Sequence, residues 1–263
     1  MKSSANVARG ALGLVLGSAL MFLAACSGST EAPARQQVES EPEPSAAAST
    51  PVHVLLKVPA GQSAPASLSQ DIAQWKQSGT ITDATRLDSA ETGEHDLSTL
   101  IILDFPGEDA YQAWNAQNAS SLGSQVTAKR AELYLSGGTH DVERENAHYM
   151  IHIHGIPTAP QHADEYKEFL DSYMSPLLKG QHEAGVLRGY RLFIERDENG
   201  AIGDSIWAAQ YKDAEAYART SPIKVKIRED LLANDPGFAK YRNDAYYKGL
   251  RVALAYYPAH YTE

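Results

Sequence analysis

The chain has 263 residues, a formal charge of −10 and a single cysteine. The acidic balance argues against nucleic acid as a partner, because phosphate binding requires basic patches. One cysteine cannot form an intramolecular disulfide, and an unpaired cysteine in an exported chain requires an explanation.

The first predicted element is an N-terminal export signal. Lys2 and Arg9 are the charged residues of the first nine positions, and an uncharged apolar run follows over 11–23. A transmembrane helix requires roughly 20 apolar residues, so this run is too short to span a bilayer. It is typical of the apolar region of a signal peptide.

The apolar run ends in Leu23-Ala24-Ala25-Cys26, which resembles the bacterial lipobox. In that family the cysteine is acylated, in part with palmitate, and the preceding peptide is removed. The resemblance implies a signal peptide over 1–25 and a lipidated Cys26 that attaches the mature chain to a membrane. An ordinary secretory signal with a chance cysteine is the alternative.

Ser27 follows the cysteine where an aspartate would imply retention at the inner membrane. By resemblance to lipoprotein sorting, we expect a cell-envelope protein, at the outer membrane if the host has two membranes. Loss of the two basic residues of 1–25 leaves the mature chain at −12.

Residues 26–51 are predicted to be a flexible tether. After Cys26 they are rich in Ser, Ala, Pro and Glu, with one branched apolar residue and no aromatic residue. Such a composition cannot bury enough apolar surface to fold. The folded body therefore covers 52–263, a length that suits one large domain or two small ones.

The body contains a weak internal repeat. A strand-like run that ends in Pro59 has the same form as a later run that ends in Pro157. The junction 101–111 also resembles the junction 207–217. Apolar alternation and helical periodicity predict the same order of elements in each half. For 52–140 they predict strands 52–58, 81–88, 97–105 and 126–135, with helices 66–77 and 107–117. For 146–263 they predict strands 148–155, 186–196, 204–211 and 249–256, with helices 162–179 and 213–232. Pro176 is expected to bend or end helix 162–179.

Two β-α-β-β-α-β units in one chain resemble the ferredoxin-like dimeric α/β-barrel proteins, which include small antibiotic-biosynthesis-type monooxygenases. The resemblance rests on the order of elements and on the junctions 104–114 and 210–217. It implies an α+β fold in which two ferredoxin-like repeats, 52–140 and 146–263, pack sheet to sheet as an intrachain dimeric α/β barrel. Fold alone does not assign an activity.

The segment 146–154 concentrates residues that carry chemistry. On a strand alternate residues share a face, so His148, His152 and His154 lie together and Ile151 and Ile153 lie opposite. We expect the isoleucines to face the helices and the histidines to face the barrel interior. The predicted ligand-binding residues are His148, His152, His154, Trp207, Gln210 and Arg251. Tyr190 or Arg191 is a further candidate.

Three interpretations of the histidine face remain open at this point: packing, contact with a metal-free ligand, and a metal site. We assign no metal, no cofactor and no catalytic residue. The predicted function is that of a membrane-anchored envelope lipoprotein which binds a small molecule or an envelope protein. The alternative is a cofactor-independent enzyme of monooxygenase or isomerase type that uses a histidine-lined barrel cavity.

Overall fold

The computed structural model describes residues 50–90, 97–156, 160–197, 199–242 and 249–262. The predicted signal peptide, Cys26 and nearly all of the tether lie outside these ranges and stay predictions. Within the described ranges, no helix combines the length and the apolar character needed to cross a membrane.

In the described part of the chain, the body is built on eight antiparallel strands. They are β1 Val52–Pro59, β2 Asp83–Ser89, β3 Leu97–Phe105, β4 Thr127–Gly138, β5 His148–Gly155, β6 Leu187–Arg196, β7 Ile202–Tyr211 and β8 Val252–Thr262. The strands close into one barrel in the order β1-β3-β2-β8-β5-β7-β6-β4. A closed barrel has no unpaired sheet edge, which removes a site for aggregation.

The two halves use the same strand order, β4-β1-β3-β2 in the first and β8-β5-β7-β6 in the second. They join edge to edge, because β4 pairs with β6 and β2 pairs with β8. The expected α+β class with a strand barrel is therefore confirmed.

Helices cover the outer face of the barrel. In the described ranges they are α1 Leu68–Gln77, α2 Glu108–Asn118, α3 Pro160–Phe169, α4 Ser175–Glu183, α5 Ala214–Ala218, α6 Thr220–Asn234 and α7 Pro236–Tyr241. A π-helical turn over Leu170–Met174 joins α3 to α4, and a 3-10 turn covers Arg144–Asn146.

The sequence indicated that Pro176 would bend or end helix 162–179, but the helix does not end there. Pro176 lies in the first turn of α4, where a missing backbone N–H is tolerated. The π-helical turn just before it shifts the hydrogen-bond register, so that the helix continues to Glu183. The predicted helix 213–232 is also two helices, with Arg219 between α5 and α6.

The predicted last strand, 249–256, is misplaced, because β8 runs from Val252 to Thr262. Pro258 lies inside β8 although proline cannot donate a ladder hydrogen bond. Its carbonyl accepts from the N–H of Ala90, so its backbone polar groups face the β2 side. Because these groups point away from β5, the proline interrupts no hydrogen bond to β5. Pairing with β2 itself begins at the next residue, Ala259.

Among the described residues, three apolar clusters form the core. One draws on all eight strands and on none of the described helices, which identifies it as the barrel interior; Leu55, Ile102 and Phe193 are among its fully buried members. The other two lie between the outer face of the sheet and the helices of each half. Side chains can fill an eight-stranded barrel completely.

Candidate functional site

The histidine face of β5 lies against the helices, and the expected orientation is wrong. Met150 belongs to the cluster under the second-half helices, whereas Ile151 and Ile153 belong to the barrel interior. The alternation was predicted correctly, but both faces of a barrel strand are buried. Apolar pattern alone therefore could not show which face points inward.

A cavity of about 160 Å³ lies between this outer face of the sheet and the helices of the second half. The side chains that line it come from β5, β7, the π-helical turn, α4, α6 and the residue before β8. They are His152, Tyr173, Met174, Leu177, Leu178, Gln181, Trp207, Ala209, Tyr211, Lys224, Arg228 and Arg251. Pockets for drug-sized ligands measure about 300–1,000 Å³, so this cavity suits a smaller molecule.

An aromatic wall closes one side of the cavity. The rings of His152 and Trp207 are stacked, with their centroids 5.5 Å apart and their planes 28° apart. Tyr256 contacts the same imidazole with a centroid distance of 4.3 Å. Trp207 Nε1 donates a hydrogen bond of 2.9 Å to Ser205 Oγ, which fixes the indole in place.

His154 lies behind this wall and is almost fully buried. The Nη1 atom of Arg251 donates to His154 Nε2 over 2.7 Å. Because a guanidinium can only donate, this nitrogen has to accept and the imidazole is neutral. Burial, and then the charge of Arg251, lower the pKa of His154 to about 3.

His152 is also held neutral. Burial is the main cause that lowers its pKa well below the ordinary value, and the charges of Lys224 and Arg251 act in the same direction. A neutral imidazole can accept a hydrogen bond or a proton from a ligand. With so low a pKa, however, His152 is a weak general base near neutral pH.

The structure brings four of the six predicted ligand-binding residues together. His152, Trp207 and Arg251 line the cavity, and His154 contacts both Trp207 and Arg251. His148 lies on the same strand face but stacks on Tyr217, with ring centroids 4.6 Å apart. Gln210 lies on the opposite face: Ala208, two residues earlier on the same strand, is in the barrel interior, and alternate residues share a face. The side-chain amide of Gln210 donates to the carbonyl of Val142 over 3.0 Å.

The further candidates Tyr190 and Arg191 do not line the cavity. Tyr190 packs in the cluster under the second-half helices. Arg191 points inward at one mouth of the barrel, where it donates to Asp104 Oδ2 over 2.8 Å and to Thr85 Oγ1 over 2.6 Å. His53 Nδ1 is 2.8 Å from the other oxygen of Asp104. This cluster joins β6 of the second half to strands of the first half.

Sequence reasoning missed the cavity residues contributed by helices. Lys224 and Arg228 of α6 line the cavity, as do Tyr173 of the π-helical turn and Gln181 of α4. The spacing of Lys224 and Arg228 indicates one helix face, but α6 has no continuous apolar stripe to show which face turns inward.

Comparison with known proteins leaves the activity open. No protein-family model matches the chain, and no curated protein matches it. Among solved structures it is similar to an anthrone oxidase-like protein at 11% identity and a TM-score of 0.49, covering 81% of this chain and 91% of that one. A putative monooxygenase from Fusobacterium nucleatum subsp. nucleatum is 9% identical with a TM-score of 0.48, covering 82% and 94%.

A haem-binding protein from Thermus thermophilus has a TM-score of 0.42 at 11% identity, over 81% of this chain and 91% of its own. Likenesses of this size carry no argument about ligand or activity. Within the described ranges, no three His, Cys, Asp or Glu side chains are grouped so that they could hold a metal ion.

Proposed function

We propose that the chain is a cell-envelope lipoprotein whose second half binds a small molecule in the cavity between the sheet and its helices. The observation that carries the binding proposal is the cavity itself, which is walled by His152 and Trp207. Ligand sites are concave and mostly apolar, with a few convergent polar groups, and this cavity has that character.

Polar atoms without partners among the described residues support a ligand at this place. Gln181 is buried and donates through Nε2 to the carbonyl of Leu177, while its Oε1 has no hydrogen-bond partner in the same ranges. Arg228 Nε is likewise buried and unpaired there. An unsatisfied buried polar group costs about 1–3 kcal/mol. A ligand that satisfies these two atoms would recover part of that free energy.

A search for a co-purified ligand tests the binding proposal. We expect native mass spectrometry of the purified full chain to show a bound small molecule. Trp207→Ala and His152→Ala should lose it, because they remove the aromatic wall. His182→Ala is the matched control, since His182 is exposed on α4. Equal occupancy in all four proteins would reject the cavity as the binding site.

The lipid anchor is supported by the lipobox-like residues that end in Cys26. We expect mass spectrometry of the mature N-terminus to give an acylated Cys26, and Cys26→Ala to move the protein out of the membrane fraction. An unmodified N-terminal residue other than Cys26 would reject this part of the proposal.

A cofactor-independent enzyme of monooxygenase or isomerase type is the second candidate. The observation that favours it is the neutral imidazole of His152 at the cavity, because it can accept a hydrogen bond from a bound substrate and orient it. The reaction would then take place on the helix side of the sheet and not inside the barrel. Oxygen uptake with a panel of polyphenols tests the monooxygenase, and rates equal to those of His152→Ala would reject it.

We also propose that the two halves are repeats of one ferredoxin-like unit. The shared strand order and the shared succession of elements support this origin. An experimental structure in which 52–140 and 146–263 differ in strand order would contradict it.

A further inference from the structure

Two cations of α6 distinguish this cavity. Lys224 and Arg228 lie four residues apart, both are half-buried, and both line it. Residues at this spacing are neighbours on one helix face, so their like charges repel each other. Burial lowers the pKa of the Lys224 ammonium group, and the charge of Arg228 lowers it further.

Within the described part of the chain, no protein carboxylate neutralises this pair. Among those residues neither Lys224 nor Arg228 forms a salt bridge, and none of the side chains lining the cavity is acidic. The buried arginines at the barrel mouth differ, because Arg144 is paired with Asp83 and Arg191 with Asp104. With no acidic partner among the described residues, Lys224 and Arg228 leave positive charge that a ligand can neutralise.

Besides these two cations, the lining has polar groups on Arg251, Gln181 and His152 and a large apolar part. Met174, Leu177, Leu178 and Ala209 lie on the cavity surface together with the Trp207 ring. A fully hydrated anion such as inorganic phosphate has no apolar part to place against these side chains. The lining therefore matches a molecule with one anionic end and one apolar body.

We propose that the ligand is a small organic carboxylate, with its carboxylate held by Lys224 and Arg228 and its apolar body against Trp207 and Leu178. This inference rests on the proposed function and names the ligand class for the same cavity. The guanidinium of Arg228 can donate two parallel hydrogen bonds to a carboxylate, which gives direction as well as charge. The volume of about 160 Å³ limits the body to about a single ring or a short chain.

Isothermal titration calorimetry of the full chain with sodium benzoate tests the inference. Benzyl alcohol and benzylamine are the matched probes, because they keep the ring and replace the anion by a neutral or a cationic group. We expect benzoate to bind about tenfold or more tightly than benzyl alcohol, since a charge-assisted hydrogen bond is lost. We expect no binding of benzylamine or of inorganic phosphate.

Variants assign the effect to the two cations. Lys224→Met and Arg228→Met should each weaken benzoate binding by about tenfold or more. Lys226→Met is the control, because Lys226 is exposed on the same helix and its loss should leave the affinity unchanged. If a variant fails to fold, the comparison of benzoate with benzyl alcohol and benzylamine on the unchanged chain still tests whether the cavity prefers a carboxylate.

The outcomes separate this inference from the proposed function. Benzyl alcohol binding as tightly as benzoate would overturn the carboxylate and keep the cavity as a binding site. Absence of benzoate binding would also overturn it, and the co-purified ligand experiment on His152→Ala would then judge the cavity independently. Equal loss of benzoate affinity in Lys226→Met would show a general charge effect and overturn the assignment.

Discussion

At the scale of single residues, the burial of His154, and then the charge of Arg251 beside it, make the fold sensitive to acid. The pKa of His154 is about 3 in the fold, whereas an unfolded histidine titrates near 6.5. Between these values the unfolded chain binds more protons than the folded one. The stabilising contribution is therefore present above about pH 6.5 and is lost as the pH falls.

We expect the free energy of unfolding to fall by about 1 kcal/mol per pH unit below pH 6.5 on account of His154. Urea unfolding at pH 7.5, 6 and 5 measures this slope, which should be shallower in His154→Gln because the titrating group is gone. His182→Gln, at an exposed position, should keep the original slope. A slope unchanged in His154→Gln would contradict the assignment.

Arg191 gives a second prediction at this scale. Arg191→Ala leaves Asp104 without its main cationic partner at the barrel mouth, and both side chains are largely buried. We expect a loss of about 3–5 kcal/mol in the free energy of unfolding. Arg130→Ala removes an exposed pair with Glu108 and should cost about 0–1 kcal/mol. Chemical denaturation compares the two, and equal losses would reject the structural role of Arg191.

At the scale of elements, α6 combines a cost in stability with a binding role. Its two cavity-lining cations repel each other when no ligand is bound, so removal of one should stabilise the free protein. We expect Lys224→Met to raise the free energy of unfolding by about 0.5 kcal/mol. That corresponds to about 1–2 °C in the melting temperature. Lys226→Met should leave it unchanged, and a lower melting temperature of Lys224→Met would contradict this account.

Element order could be predicted from the sequence, whereas orientation could not. Alternation placed β5 at the correct residues and grouped its histidines correctly, because period two requires only a strand. It failed on the direction of that face, since Ile151 and Met150 are equally apolar and both faces are buried. The bounds of β8 could not be predicted either, because whether a strand tolerates Pro258 depends on which neighbour its backbone faces.

The candidate site was predicted in part for the same reason. His152, Trp207 and Arg251 could be chosen from residue type and strand position. Lys224 and Arg228 could not, because charged residues on a helix ordinarily face solvent and only tertiary packing turns these two inward. The cavity is a product of helix placement on the sheet, which local patterns do not encode.

At the scale of the whole molecule, the two halves depend on each other. The pairs β4–β6 and β2–β8 close one barrel around a core drawn from all eight strands. Each half alone would expose an apolar sheet face and two unpaired edges, which favour aggregation.

We therefore expect a fragment of residues 145–263 to be insoluble or aggregated, while the chain with both halves stays in solution. Expression of both followed by size-exclusion chromatography makes the comparison. A soluble, monomeric fragment would contradict the shared core and would indicate two independent domains.

The pairing of β2 with β8 also has a kinetic consequence. It joins Leu87 to Tyr261, so the barrel cannot close until segments far apart in the chain have met. Contacts between such distant segments make folding slow, because the loop between them has to be ordered first. A chain that folds slowly stays unfolded for longer. Only an unfolded chain can pass through a narrow export channel, so slow folding suits a protein whose predicted signal peptide directs it across a membrane.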